Sequence, residues 1–228
     1  MTGTTPAVDL HRTTARTWWT VLAAVVALSV AGEFVLTLLD PADASVGVGA
    51  RIVRFFSYFT VQSNLLVLAA VLPLVRDPSH DGRLWRVVRL ASLLGITITG
   101  IVYAVVLAPL YDPQGLHAWT NAGEHYVSPV MTVLGWLLFG PRPRIASGVV
   151  GRALLWPVAW IAWILAQGTV TDWYPYDFMD VAAHGYVVAL RNLAVVVLLA
   201  LGFLLLFAFV DRRLPATEER SELPVTTG

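Results

Sequence analysis

Long apolar stretches alternate with short polar segments along almost the whole chain. The apolar stretches occupy residues 18–39, 55–75, 87–110, 121–139, 152–170 and 187–210. A helix needs about 20 mainly apolar residues to cross roughly 30 Å of hydrocarbon. Proline-containing breaks such as Asp40-Pro41, Asp77-Pro78 and Asp112-Pro113 separate the stretches, and such dipeptides mark turns. The pattern therefore predicts an all-α, polytopic membrane protein with six transmembrane helices in a single bundle.

The predicted bundle fills residues 18–210 and leaves only short segments outside it. Residues 1–17 are predicted to be a cytoplasmic N-terminal segment. Residues 211–228 are polar, contain Pro215 and Pro224, and are predicted to be a disordered cytoplasmic tail. The first stretch resembles a signal peptide in position, but its 22 residues exceed the usual apolar core of about 7–15 residues. We therefore expect it to be retained as the first span.

Arginine placement predicts the orientation of the bundle. All 15 basic residues are arginines, and 12 of them fall in the N-terminal segment, the second and fourth connections and the tail. The other side carries three, which are Arg51, Arg54 and Arg191. Cytoplasmic loops hold the excess of positive charge in membrane proteins. Both termini are therefore predicted to be cytoplasmic, in a multi-pass protein of the plasma membrane.

Composition narrows the chemistry that the chain can perform. Hydrophobic residues make up 57% and charged residues 13%, against about 25% charged residues in soluble proteins. The formal net charge is zero, which argues against a nucleic-acid partner. Cysteine is absent, so disulfides and thiolate nucleophiles are excluded. The histidines lack metal-binding spacing and no Walker or GxGxxG motif occurs, so we expect neither a metal nor a cofactor.

A polar cluster at residues 57–64 interrupts the second apolar stretch. Thr60, Ser63 and Asn64 are spaced i, i+3 and i+4 and share one helix face, whereas Gln62 points elsewhere and is expected to pack against another helix. Polar side chains inside hydrocarbon are costly and often functional, although a threonine alone more often bonds within its own helix or to a neighbour. The extracytoplasmic half is polar-rich, and the cytoplasmic half is expected to be ordinary apolar packing.

The fourth span carries a histidine at the same depth as Thr60. Its purely apolar part, residues 127–139, has 13 residues, which is too few to cross, so the helix is expected to begin near Asn121. His125 then lies roughly 6 Å inside the membrane boundary and Thr60 roughly 7 Å, at 1.5 Å per residue. If Pro129 lies within the helix, it bends the helix at the His125 carbonyl. If Pro129 begins the helix, His125 lies in a loop.

Ionisable residues elsewhere are weaker candidates. Asp180 and His184 are spaced i, i+4 and could form a histidine–carboxylate pair, on an interfacial or re-entrant segment before the sixth span. Glu33 is expected to lie near the interface, where water reaches it. His80 and His117 are expected to be solvated loop residues.

Three segments resemble a known family of membrane proteins. They are the octapeptide SYFTVQSN at 57–64, NAGEHYVSPV at 121–130, and YPYDFMD at 174–180 with the following Gly185-Tyr186. The chain is similar to a bacterial member of the androgen-induced-gene family of six-span proteins, which includes the androgen-dependent regulator of tissue factor pathway inhibitor. Animal members are threonine hydrolases that cleave fatty acid esters of hydroxy fatty acids. The resemblance implies that Thr60 and His125 are the catalytic threonine and histidine.

The implied pair predicts a lipid-ester hydrolase whose partners are an acyl-ester substrate and the bilayer. A threonine hydroxyl needs an adjacent base, and an imidazole suits that role. Candidate oxyanion donors are Ser63 and Asn64, one turn from Thr60. Asn121, Glu124 and Asp180 are alternatives for orienting the imidazole. The oligomeric state stays open.

Two other functions compete with the hydrolase. A transporter or lipid-binding protein would use the polar cluster as a substrate site, but transporters often show repeats and matched helix breaks, and neither is evident in the sequence. In a structural scaffold, Thr60, Ser63 and Asn64 would only join helices, so substitution of Thr60 would change thermal stability and nothing else.

Overall fold

The computed structural model describes residues 6–40 and 45–216, and these residues form helices and loops without strands. The α-helices are α1 (Pro6–Leu39), α2 (Val48–Ser57), α3 (Phe59–Arg76), α4 (Arg83–Val102), α5 (Leu116–Ala122), α6 (Ser128–Phe139), α7 (Ser147–Ala153), α8 (Leu155–Thr171) and α9 (Val181–Arg213). Two π-helical turns, Tyr103–Leu107 and Gly123–Val127, follow α4 and α5. Short 3-10 turns occupy Ala108–Leu110 and Asp177–Met179. The predicted all-α class is confirmed for the described part of the chain.

Five helical segments are long and apolar enough to cross a membrane, namely Leu10–Leu39, Phe59–Arg76, Arg83–Leu110, Ser147–Thr171 and Val181–Arg213. The predicted fourth span, 121–139, is not among them, because a π-helical turn separates α5 from α6. The backbone nevertheless stays right-handed helical at both junctions, with φ −61° and ψ −45° at Gly123 and φ −69° and ψ −49° at Val127. Residues 116–139 therefore follow one helical path with a wider turn in its middle.

The second helix of the bundle starts later than predicted. Tyr58 separates α2 from α3 with an extended backbone, φ −66° and ψ 130°. The Gln62 amide donates to the Phe56 carbonyl (2.9 Å), which the end of α2 leaves without a helical partner. Its Oε1 accepts from the indole of Trp156 in α8 (2.8 Å), so the predicted packing role of Gln62 is confirmed. Because of the break, Thr60 lies in the first turn of α3.

The two terminal helices extend beyond the predicted spans. α1 begins at Pro6, within the segment predicted to be outside the membrane, and α9 runs from Val181 to Arg213. Arg12 of α1 donates to Asp77, just after α3 (3.3 Å), so the start of α1 belongs to the helical bundle. Of the tail predicted to be disordered, residues 217–228 lie outside the described part of the chain.

The core forms where α3 packs against α1 and α4. Trp19, Leu22 and Val26 of α1 are fully buried in one cluster with Val67 and Leu74 of α3. A second apolar cluster joins α4 to α6, α7 and α9. In lipid, helices associate through close van der Waals packing. These contacts fix the position of α3, which carries Thr60.

The connection between α8 and α9 folds back against the helices. Met179 is fully buried in a cluster with Trp160, and the Asn192 amide of α9 donates to the Phe178 carbonyl (2.7 Å). Buried side chains and a hydrogen-bonded main chain hold this connection in one place. Tyr176 is thereby brought to the first turn of α3.

Asp180 and His184 do not form the predicted pair. Asp180 is the N-cap of α9 and accepts the N–H of Ala183 (2.9 Å), whereas His184 contacts the Asp177 carboxylate (3.1 Å). An N-cap side chain turns toward the free N–H groups of its helix. For that reason Asp180 does not lie along the helix face that the i, i+4 spacing assumed.

The opposite end of the bundle buries charged residues, which corrects the expectation of ordinary apolar packing there. Arg89 is 6% exposed and donates to the Gly140 carbonyl at the end of α6 (3.2 Å). Asp211 of α9 is 1% exposed and accepts the main-chain N–H groups of Arg144 and Ile145 (both 2.8 Å). Main-chain atoms thus pair with one nitrogen of Arg89 and one oxygen of Asp211. Arg89 Nε and Nη1 and Asp211 Oδ1 have no hydrogen-bond partner among the described residues, and the Arg89 guanidinium lies 4.8 Å from the centroid of the Trp19 ring.

Candidate functional site

A hydrogen bond joins Thr60 to His125. Thr60 is the second residue of α3, and His125 lies in the π-helical turn between α5 and α6. The distance from Thr60 Oγ1 to His125 Nε2 is 3.2 Å, and Thr60 is 7% exposed. Two side chains that are 65 positions apart thus meet at the distance that general acid–base catalysis requires.

The contact made by His125 Nδ1 indicates which nitrogen of the imidazole carries the proton. His125 Nδ1 lies 3.1 Å from the main-chain carbonyl of Asn121, and a carbonyl can only accept. Nδ1 of the neutral ring is therefore protonated, and Nε2 is left as the acceptor for the Thr60 hydroxyl. Tyr103 packs against the imidazole at a centroid distance of 4.0 Å, and its hydroxyl accepts from the Asn121 amide (2.7 Å).

The shape of the helix around His125 follows from Pro129. Proline lacks an N–H and cannot complete the helical bond to the residue four positions earlier, which is His125. The wider π-helical turn lies directly before this point, and such turns are frequent at functional sites. A Cβ added to Gly100 of α4 would lie 2.9 Å from Pro129 Cβ, so α4 approaches the bend closely. His125 therefore lies within a helical path and not in a loop, as the first predicted alternative requires, and α6 itself begins at Ser128, directly before Pro129.

Ser63 and Asn64 do not line the site as expected. The Asn64 amide donates to the carbonyls of Thr60 (3.0 Å) and Glu124 (3.3 Å), so its hydrogens serve as a clamp between two helices. Ser63 is fully buried, and its hydroxyl has no hydrogen-bond partner among the described residues. A Cβ added to Gly95 of α4 would lie 2.9 Å from Ser63 Oγ. Both side chains occupy helix contacts, and neither is placed as the predicted oxyanion donor.

Of the three residues considered for orienting His125, only Asn121 contacts the imidazole, and it does so through its main chain. Glu124 is 3% exposed and has one carboxylate oxygen, Oε1, without a partner in the described part of the chain. Asp180 caps α9. The spacing of Asn121 and His125 is that of a helical turn, which explains why the carbonyl of one meets the side chain of the other.

Tyr176 is part of the site and was not anticipated. Its hydroxyl accepts the main-chain N–H of Thr60 (3.3 Å) and lies 3.4 Å from Thr60 Oγ1. The only hint in the sequence was an aromatic-rich loop before the sixth span. Helical periodicity says nothing about a loop, so the approach of Tyr176 to α3 depends on tertiary packing.

Two cavities of different character meet at Thr60. A polar cavity of about 570 Å³ reaches His125, Tyr103, Asn121 and Glu124. An apolar cavity of about 80 Å³ lies among α4, α8 and α9 and is lined by residues such as Phe59, Ile98, Val102, Trp160, Leu193 and Val196. Thr60, Leu107 and Tyr176 line both. The Thr60 hydroxyl therefore stands between a polar space and an apolar one.

A second hydrogen-bonded group lines the polar cavity. Glu33 of α1 accepts from the Thr120 hydroxyl, and one of its oxygens lies 3.1 Å from His117 Nδ1. His117 therefore lies in α5 and contacts Glu33 instead of standing in a loop as expected, and about one-third of its side chain stays exposed. This group joins α1 to α5 and holds the start of the helical path that carries His125.

Fold and site together define an all-α, membrane-embedded protein with a threonine–histidine pair at the junction of a polar and an apolar cavity. Among the described residues, no group of three or more His, Cys, Asp or Glu side chains could hold a metal ion. Comparison with protein-family models, with curated proteins and with solved structures finds no match to this chain.

Proposed function

We propose that this protein hydrolyses lipid esters within the membrane, with Thr60 as the nucleophile and His125 as the general base. The observation that carries the proposal is the contact of 3.2 Å between Thr60 Oγ1 and His125 Nε2, in a ring whose Nδ1 faces the Asn121 carbonyl. A threonine hydroxyl is a weak nucleophile that needs such an activated arrangement. A threonine that only joins helices has no need of a histidine, because its hydroxyl can donate equally well to a main-chain carbonyl.

The proposed reaction has two steps. In the first, the Thr60 proton moves to His125 Nε2 while Oγ1 attacks the ester carbon, and the carbonyl oxygen becomes an oxyanion. The oxyanion collapses, the bond to the alkyl oxygen breaks, and the leaving alcohol takes the proton from Nε2. In the second step, His125 removes a proton from water, which attacks the acyl-threonine, and the carboxylic acid leaves as Oγ1 regains its proton.

The two cavities support an acyl-ester substrate. The apolar cavity lined by Ile98, Val102 and Val196 can take the first few CH₂ groups of an acyl chain beside the ester, while the polar cavity admits water to the carbonyl. We therefore infer a fatty acyl ester as the substrate class, of which fatty acid esters of hydroxy fatty acids are one example.

The proposal includes a sixth membrane span. The helical path 116–139 contains 24 residues, which corresponds to about 36 Å at 1.5 Å per residue and is long enough to cross. With six spans, both termini lie on one side, and the arginine distribution favours the cytoplasmic side of the plasma membrane.

The test compares Thr60→Ala with a matched control in purified protein in detergent or liposomes. Thr97→Ala is the control, because Thr97 is also a buried helical threonine and its hydroxyl bonds to the Leu93 carbonyl (2.7 Å) away from the site. Loss of a nucleophile lowers kcat on the order of 10⁴–10⁶-fold. We expect that loss for p-nitrophenyl acyl esters in Thr60→Ala and near-normal turnover in Thr97→Ala.

Covalent labelling gives an independent readout. A fluorophosphonate probe should label the wild-type protein at Thr60, with the site identified by peptide mass spectrometry. Labelling that persists unchanged in Thr60→Ala, or ester turnover that does not depend on Thr60, would contradict the assignment. If Thr60→Ala lowers only thermal stability, the threonine joins helices and has no chemical role.

A further inference from the structure

We propose that Tyr176 is a third catalytic residue, whose hydroxyl donates a hydrogen bond to the ester carbonyl oxygen as it becomes an oxyanion. This inference rests on the proposed hydrolase function and adds the group that the threonine–histidine pair lacks. Acyl transfer needs a donor placed where negative charge develops, and this contribution is often the largest single one in such sites.

The hydrogen-bond pattern leaves the Tyr176 proton available for a substrate. The Tyr176 hydroxyl accepts the Thr60 N–H at 3.3 Å, so its own hydrogen must point elsewhere. The Thr60 hydroxyl, in turn, donates to His125 Nε2 at 3.2 Å and does not need Tyr176 as an acceptor. The only acceptor near the Tyr176 hydrogen among the described residues is then Thr60 Oγ1, at the long distance of 3.4 Å. The carbonyl oxygen of an ester attacked by Oγ1 would lie beside this atom and would replace it as the acceptor.

The position of Thr60 in α3 strengthens this donor. The first N–H groups of a helix have no helical acceptor and carry a partial positive charge. By accepting one of them, the Tyr176 oxygen becomes polarised, and its O–H becomes a better donor through cooperative hydrogen bonding. The helix N-terminus therefore acts on the oxyanion through the phenol and needs no direct contact with it.

The phenol is held in a fixed position. Its ring stacks on Phe178 at a centroid distance of 5.5 Å and an interplanar angle of 10°. Tyr58 packs edge-on against it at 5.7 Å. A donor that is already in place costs no reorganisation when the charge forms, which is what makes oxyanion stabilisation effective.

Tyr176 also retains its proton over the working pH range. It lies in the connection between α8 and α9, outside both helices, and burial raises its pKa to about 12. Among the expected donors, Asn64 already bonds to two carbonyls and Ser63 lies at the α3–α4 contact. Neither lines the cavities, whereas Tyr176 lines both.

During acyl transfer to Thr60, Tyr176 neither gains nor loses a proton. The Thr60 proton passes to His125, a C–O bond forms at Oγ1, and the carbonyl π electrons move to the oxygen that accepts the Tyr176 hydrogen bond. The reverse electron movement expels the alcohol, which takes its proton from His125. Tyr176 then donates to the carbonyl oxygen of the acyl-threonine.

The experiment compares Tyr176→Phe with Tyr174→Phe in the full-length protein, using p-nitrophenyl esters. Tyr174 lies in the same connection, packs against Gly168 and lines neither cavity. Removal of one oxyanion donor lowers kcat by about 10²–10³-fold, so we expect that fall in Tyr176→Phe with little change in KM. An alkylboronic acid, which forms a tetrahedral anion on the nucleophile, should lose affinity for Tyr176→Phe by a similar factor. Tyr174→Phe should match the wild type in both measurements.

The outcomes separate the inference from the proposed function. If no ester turnover depends on Thr60, the hydrolase proposal fails and the inference fails with it. If turnover depends on Thr60 but Tyr176→Phe keeps wild-type kcat and boronate affinity, only the inference is overturned.

A second variant covers the case in which Tyr176→Phe does not fold. Incorporation of 3,5-difluorotyrosine at position 176 lowers the pKa of the phenol and keeps the ring. The alkaline limb of the kcat profile should then move to lower pH, because the ionised phenol cannot donate. An unmoved limb would overturn the inference.

Discussion

The two ends of the helical bundle use buried polar groups in different ways. At the Arg89 end, charged side chains pair with main-chain atoms, as Arg89 does with the Gly140 carbonyl (3.2 Å) and Asp211 with the N–H groups of Arg144 and Ile145 (both 2.8 Å). At the Thr60 end, Asn64 also bonds to main-chain carbonyls, but Thr60 meets the side chains of His125 and Tyr176 across helices and faces cavities. Main-chain partners close loops and helix ends, whereas converging side chains can exchange protons with a substrate. The comparison predicts that substitutions at the Arg89 end change stability and substitutions at the Thr60 end change activity.

Of four further substitutions that test this comparison, His125→Ala should produce the largest change. A general base contributes about 10²–10⁴-fold, so kcat for ester hydrolysis should fall by that factor, while the thermal midpoint changes little. Added imidazole should restore part of the rate by entering the vacated space. If His125→Ala hydrolyses esters at the wild-type rate, the Thr60 end does not differ from the Arg89 end in the way that the comparison predicts.

Asp211→Ala should lower stability and spare activity. It leaves two buried N–H groups, those of Arg144 and Ile145, without an acceptor. Each unsatisfied buried group costs about 1–3 kcal/mol. Because both N–H groups are only part-buried, the free energy of unfolding in mixed micelles should fall by about 2–4 kcal/mol, with kcat of the folded protein unchanged. Asp211→Asn keeps an acceptor oxygen and should lose less. If both variants lose the same free energy of unfolding, the hydrogen bonds to the two N–H groups are not the stabilising contribution of Asp211.

Gly100→Ala should affect both properties, because α4 meets the bent helix there. The new Cβ would lie 2.9 Å from Pro129 Cβ and 3.0 Å from Pro129 Cγ, so the helices must separate. Overpacking costs about 1–3 kcal/mol, and displacement of His125 should lower kcat by up to about 10²-fold. Gly202→Ala in α9, where a Cβ meets nothing within 4 Å, is the control. Unchanged kcat in Gly100→Ala would show that the bend is not needed to position the imidazole.

Asp81→Asn should have the smallest effect. The Arg86 guanidinium donates to Asp81 and lowers the pKa of this loop carboxyl from 3.8 to about 2. Because the folded pKa lies below the unfolded one, the pair contributes stability above about pH 4 and loses it as the pH falls toward 2. For a partly exposed pair the contribution is at most about 1 kcal/mol. Unfolding measured at pH 7, 3 and 2 should show the full difference between variant and wild type at pH 7, a smaller one at pH 3 and little at pH 2.

Hydropathy and helical spacing predicted much of this arrangement. They located the apolar helices, and the estimated depths of Thr60 and His125 brought the two residues to one level before any distance was known. The break at Tyr58 could not be predicted, because an aromatic residue with an extended backbone looks like any other position in an apolar run. The early end of α2 nevertheless decides that Thr60 stands at a helix N-terminus.

Other features depend on tertiary structure that the sequence does not encode locally. Tyr176 reaches Thr60 because Met179 and Phe178 anchor a loop, and no periodicity describes such a loop. Asn121 orients His125 through its main-chain carbonyl. Every residue has this group, so the residue type does not reveal the contact. Arg89 was counted with the second connection and Asp211 with the cytoplasmic tail predicted to be disordered, whereas both are buried within helices and bond to main-chain atoms.

The hydrogen bonds of the Asn64 amide affect how two helices can move relative to each other. It holds the carbonyl of Thr60 and the carbonyl of Glu124, which directly precedes His125, and so braces α3 against the bent helix at the level of the reacting atoms. Helices tilt when the bilayer thickens or thins. Because of this brace, α3 and the bent helix should tilt together at that level, and the gap between Thr60 Oγ1 and His125 Nε2 should vary less than the tilt of either helix.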